Sequence, residues 1–106
     1  MFGMGPQVPQ ISSQELAEQL EKDPGTVIVD VREPEEFAEG HIPGAKLIPL
    51  GTVPERMGEI PSDREVMVIC RSGGRSTSAC QHLQAAGYKV RNLTGGMLGW
   101  QGPVER

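Results

Sequence analysis

The sequence predicts an α/β domain built on a mainly parallel sheet. Two runs carry most of that prediction, Thr26-Val27-Ile28-Val29-Asp30-Val31 and Glu65-Val66-Met67-Val68-Ile69. Both are apolar at successive positions, so both of their faces need burial, as in strands covered by helices on two sides. Helical patterns fall between the strand-like runs, which is the alternation of an α/β chain. The length of 106 residues suits one domain with one modest core.

Taken in order, residues 1–10 are short, polar and interrupted by Gly and Pro, and read as a flexible lead-in. The domain proper is expected over residues 11–106. Ser12 with Glu15 three positions on matches a capping box, and Leu16, Ala17 and Leu20 form a helical apolar stripe. Asp23-Pro24-Gly25 ends that helix. After the first strand, Glu33-Pro34-Glu35-Glu36-Phe37 predicts a short helix with Pro in its first turn. Residues 40–44 read as a turn and residues 45–48 as a second strand. A short helix is expected over residues 54–57, before Pro61. The third strand, over residues 65–69, runs directly into Cys70. A helix follows from near Ser76, with Ala79, Cys80, Leu83 and Ala86 on one face and Gly87 closing it. Residues 88–93 predict a last strand, and Gly95-Gly96 opens a final short helix containing Trp100. There is no internal repeat or low-complexity tract.

Composition excludes several functions. The formal net charge is −4 and no Lys/Arg run occurs, so the basic footprint of a nucleic-acid binder is absent. An acidic surface also repels anionic lipid, and no apolar run approaches the roughly 20 residues of a membrane span. Residues 1–6 lack the charged and apolar regions of a signal peptide. Two cysteines, Cys70 and Cys80, are too few for a disulfide framework or a four-ligand zinc site. Both are expected reduced in the cytoplasm, with no metal and no cofactor. Aromatic residues are only 4% of the chain, so Val, Ile, Leu, Met and Ala must fill the core.

The chemistry concentrates in Cys70-Arg71-Ser72-Gly73-Gly74-Arg75-Ser76. In open parallel sheets ligands bind at the carboxyl ends of the strands, where Cys70 falls. Gly73 and Gly74 allow successive backbone N–H groups to turn inward as an anion nest. The following helix adds unpaired donors and the positive end of its dipole. Arg71 and Arg75 add permanent positive charge. A thiol so placed is acidified, because these groups stabilise the thiolate and not the thiol. Cys70 is therefore the candidate nucleophile rather than a buried structural cysteine.

Four segments together resemble a rhodanese domain. They are Val29-Asp30-Val31-Arg32 with Glu36-Phe37 behind it, Gly40-His41-Ile42-Pro43-Gly44-Ala45, the Cys70 loop, and Gly95-Gly96 followed by Trp100. The resemblance spans residues from about 11 to 103, in the family's order. It implies a rhodanese-like sheet of about five mainly parallel strands with helices on both faces. It further implies a sulfurtransferase whose catalytic Cys70 takes sulfane sulfur from thiosulfate or a similar anionic donor and passes it on as a persulfide. The acceptor would be cyanide, a thiol or a partner protein. Arg71, Ser72, Gly73, Gly74 and Arg75 would bind the substrate, the two arginines steering the anion. A sulfur-trafficking module loaded by a protein donor, such as a cysteine desulfurase, is the alternative. Phosphatases and arsenate reductases of this fold have a loop one residue longer, and phosphatases commonly place His where this chain has Ile69. Phosphatase activity is disfavoured.

The remaining candidates read as structural. Cys80 falls inside the helix on its apolar face, as a small core hydrophobe. His41 sits in a turn with no obvious orienting partner. Asp30 and Arg32 end the first strand beside Cys70 and are expected to pair in support of the site. His82 is expected exposed. Met97 and Trp100 should cover the core edge, and Met1, Phe2 and Met4 are read as exposed.

Overall fold

The computed structural model describes residues 7–106. The exposure expected of Met1, Phe2 and Met4, and the signal-peptide reading of residues 1–6, lie outside the described residues.

Five strands form one parallel sheet in the order β1-β5-β4-β2-β3. They are β1 (Gln10–Ile11), β2 (Val27–Asp30), β3 (Lys46–Leu47), β4 (Val66–Ile69) and β5 (Val90–Leu93). The helices are α1 (Ser13–Lys22), α2 (Pro34–Glu39), α3 (Val53–Arg56) and α4 (Gly74–Ala85), with 3-10 turns at Leu50–Thr52, Met57–Glu59 and Gly96–Gly99. The central strands β2 and β4 pair along four residues, Val27 with Val66 through Asp30 with Ile69. Their side chains alternate between two apolar clusters, which is why the sequence shows unbroken runs rather than alternation. One face holds Val29, Val31, Val66, Val68 and Cys70 against α3 and α4 through Val53, Ala79, Cys80 and Leu83. The other holds Ile28, Met67 and Ile69 against Leu16 of α1, with Met97 and Trp100 at its edge.

Local signals account for most helix ends. Ser12 Oγ accepts from the Glu15 amide at 3.0 Å, and the Ser12 amide donates to Glu15 Oε1 at 2.9 Å, the reciprocal capping box. At the end of α4 the Gly87 amide bonds Gln84 O and the Tyr88 amide bonds Leu83 O, with Gly87 left-handed at φ 95°. That is a Schellman closure.

Four expectations need correction. Strand β1 begins at Gln10, inside the segment read as a lead-in, because Pro9 O and the Gln10–Ile11 backbone complete the open edge of β5. Ala86 is exposed and caps α4 rather than continuing its buried face, since the chain reverses there. Helix α4 starts at Gly74, so Arg75 already lies in its first turn. The last turn closes at Gly99, and Trp100 follows it in extended conformation with its indole N–H donating to Pro103 O at 2.8 Å. Among the described residues no helix is long and apolar enough to cross a membrane.

Candidate active site

Cys70 follows β4 immediately, so the strand end and the start of α4 enclose its loop. The chain reverses at Gly73, whose φ of 111° is left-handed and suits only glycine comfortably. That reversal turns the Gly73 amide back onto Cys70 Sγ at 3.0 Å. Gly74 differs: its φ is ordinary and a side chain there would enter open space, so only one glycine of the pair is required by the backbone. Ser76 Oγ lies 3.2 Å from the same sulfur and is itself fully buried.

Burial raises the cost of ionising Cys70, but the Ser76 hydroxyl and the amides of Ser76, Gly73 and Ser72 outweigh it. The thiol is therefore held below its ordinary range. Cys80 shows the opposite balance. It is buried, the negative charge of Cys70 opposes its ionisation further, and its pKa is pushed up to about 12. Both cysteines are free thiols.

A second loop clamps the first. The amides of Met97 and Leu98 donate to Cys70 O at 2.9 Å and Arg71 O at 3.0 Å. This approach passes over Gly96, where a Cβ would meet Cys70 O at 2.5 Å and Arg71 O at 2.6 Å. The Gly95-Gly96 pair seen in the sequence thus holds the floor of the Cys70 loop.

The charges divide unevenly. Arg71 is exposed and, among the described residues, has no carboxylate partner. Arg75 is instead forked onto Glu36 of α2. Glu36, which sequence reasoning placed in the pattern without a role, also accepts the Glu33 amide at 2.9 Å. Arg75 first and that amide second hold its carboxyl at about 2. Asp30 and Arg32 pair as expected: Arg32 Nη2 lies 2.8 Å from Asp30 Oδ2 and its amide 3.0 Å from Oδ1. Arg32 also donates to Gly40 O at 2.9 Å, fixing the start of the turn behind the site.

His41 has a partner that was not foreseen. Its ring stacks on Phe37 at 3.7 Å, Nδ1 lies 2.9 Å from Phe37 O, and Nε2 lies 3.5 Å from Glu105 Oε1. Its backbone bridges Glu105 in both directions, so it ties the carboxyl-terminal segment to α2. Sequence reasoning also missed Ser76 as a neighbour of the sulfur and Asn92 as the partner of Ser76 behind it. Ser76 stood in the loop motif, but nothing local singles out Asn92 on β5.

A family model for the rhodanese-like domain matches residues 12–103. The chain belongs to the rhodanese-like family. A sulfurtransferase of Allochromatium vinosum is 45% identical over 94 residues, covering 88% of each chain. The thiosulfate sulfurtransferase GlpE of Pseudomonas putida is 35% identical over 88 residues, 82% of this chain and 80% of its own. Among solved structures, a rhodanese-like domain protein from Staphylococcus aureus superposes with a TM-score of 0.87 at 35% identity, over 92% of this chain and 97% of that one. Both the Allochromatium and the Pseudomonas relatives are named as sulfurtransferases.

Proposed function

We propose that this protein moves sulfane sulfur from thiosulfate or a similar donor to a thiophilic acceptor through a persulfide on Cys70. The observation that carries the reading is the convergence of the Gly73 amide and the Ser76 hydroxyl on one buried sulfur whose thiol is acidified. The Cys70 thiolate attacks the outer sulfur of thiosulfate, the S–S bond breaks, and its electron pair leaves with sulfite. Charge is conserved: the outer sulfur of the new persulfide is anionic and rests among loop amides over Arg71 to Arg75. An acceptor such as cyanide then takes the outer sulfur and the thiolate returns. No proton need move in either step, so no general base is required. A reducing cytoplasm, which keeps both cysteines as thiols, is the setting that suits this cycle.

One observation favours the carrier alternative. Arg75 is neutralised by Glu36, which leaves Arg71 as the unpaired cation of the loop for a small dianion. A persulfide handed over by a cysteine desulfurase would need less positive charge. The test is thiocyanate formation with thiosulfate, mercaptopyruvate and a desulfurase offered in turn. Turnover with thiosulfate supports the enzyme. Loading by the desulfurase alone supports the carrier, and loading by none of them removes both.

A further inference from the structure

The Ser76 hydroxyl has one proton and three acceptors within reach. They are Cys70 Sγ at 3.2 Å, Gly73 O at 3.2 Å and the side-chain oxygen of Asn92. Ser76, Asn92 and Cys70 are all buried, so water offers little relief for an unmade bond. The orientation of Asn92 is fixed from behind. Its Nδ2 donates to Gln10 Oε1 at 3.0 Å, and that oxygen also accepts Thr94 Oγ1 at 3.0 Å. Gln10 Nε2 in turn donates to Val8 O at 3.3 Å. With its nitrogen committed to Gln10, Asn92 can present only oxygen to Ser76.

We propose that Asn92 is a positioning residue for Cys70, acting through Ser76 by competing with the sulfur for the single hydroxyl proton. When Cys70 is a thiol, its S–H points into Ser76 Oγ, Ser76 donates to Asn92, and every group is satisfied. When Cys70 is a thiolate, the hydroxyl proton turns to the sulfur, and the oxygens of Ser76 and Asn92 are left facing each other. Asn92 therefore opposes the loop amides and keeps the thiolate from being over-stabilised. This matters because the nucleophilicity of a thiolate falls as its pKa falls. Once an outer sulfur is attached, the charge moves outward, Sγ becomes neutral, and the hydroxyl returns to Asn92. The hydroxyl thus follows the charge of the sulfur through the cycle. The inference rests on Cys70 being the sulfur-carrying residue, as proposed above.

The charged and titratable groups around this sulfur are Arg75 and Cys80, whose own titrations feel it, Arg71 next in the chain, and the Asp30–Arg32 pair at the end of the neighbouring strand. Ser76, Asn92 and Gln10 carry no charge, so exchanging them leaves that field unchanged.

The experiment reads the pH dependence of Cys70 alkylation by iodoacetamide in the full chain, with the site resolved by peptide mass mapping. Asn92→Ala should lower the Cys70 midpoint by about half a unit, raising the thiolate fraction about threefold at pH values well below it. Ser76→Ala should raise the midpoint. The double variant should match Ser76→Ala alone, because Asn92 has no route to the sulfur without the hydroxyl. A merely structural Asn92 would shift the double as well, and that result would overturn the proposal, as would an unchanged or raised midpoint in Asn92→Ala. Gln10→Ala, at an exposed position, gives a second reading should the buried variant fail to fold. It frees the Asn92 amide to turn its nitrogen toward Ser76, and the Cys70 midpoint should fall. An unmoved midpoint there contradicts the proposal. Alkylation needs no sulfur donor, so a failure to load sulfur from thiosulfate would leave this result readable.

Discussion

Arg75 and Glu36 meet as a two-pronged ion pair, Nη1 to Oε1 at 2.7 Å and Nη2 to Oε2 at 2.8 Å, across 39 residues of chain. It locks α2 to the first turn of α4. The Cys70 loop is thereby braced on the side opposite the clamp over Gly96. The geometry is the strong, bidentate form of a charge-assisted bond.

That pair makes stability sensitive to acid. The folded Glu36 carboxyl is held at about 2, below its ordinary 4.5. A depressed acid contributes stability that is fully present above the unfolded value and is lost as pH falls through the folded one. The loss should run between about pH 4.5 and about pH 2. Partial exposure of both side chains limits it to roughly 1 kcal/mol. Glu36→Gln should be less stable by that amount at neutral pH and flatter across the window, which urea titrations at stepped pH would measure.

The two thiols should differ in reactivity. Cys70 should alkylate with a midpoint below that of free cysteine, and Cys80 should stay inert until strongly alkaline pH, since burial lifts it to about 12. Peptide mapping after brief iodoacetamide treatment at neutral pH should find label at Cys70 only. Equal labelling would contradict the site as described.

The two glycine substitutions at the site should have opposite outcomes. Gly96→Ala drives a Cβ into the Cys70 and Arg71 backbone at a left-handed φ of 56°, and nothing flexible can yield. It should cost about 2 kcal/mol or more and weaken the loop clamp. Gly74→Ala meets open space at the start of α4 and should be neutral or slightly stabilising, by roughly 0.5 kcal/mol. Thermal melts of the two variants decide this.

Breaking the Asp30–Arg32 pair from one side should be severe. Asp30 is fully buried and Arg32 nearly so. Asp30→Ala strands a buried guanidinium and should cost about 3–5 kcal/mol. Asp30→Ala with Arg32→Leu should recover part of that loss, measured as a higher urea midpoint than the single variant.

What was legible in the sequence was what neighbouring residues carry. The runs over Val27–Asp30 and Val66–Ile69, the Ser12 capping box, the Gly87 closure and the Cys70 loop each state their own geometry over a few positions. β1 was missed because two residues cannot show a period, and its reason to exist is the edge of β5 far along the chain. The Glu36 fork on Arg75 and the approach of Asn92 to Ser76 were missed for the same cause. Both are contacts between elements, 39 and 16 residues apart, that only the packed sheet brings together. Arg75 was expected as a free anion receptor, and its chemistry changes once its partner is known.

Whether Cys70 takes up sulfur is the question on which all of this turns. Intact-mass and peptide-level spectrometry after incubation with thiosulfate answers it directly. The chain should gain the mass of one sulfur atom at Cys70, Cys80→Ala should keep that gain, and Cys70→Ala should abolish it. A sulfur adduct that persisted in Cys70→Ala would contradict the account.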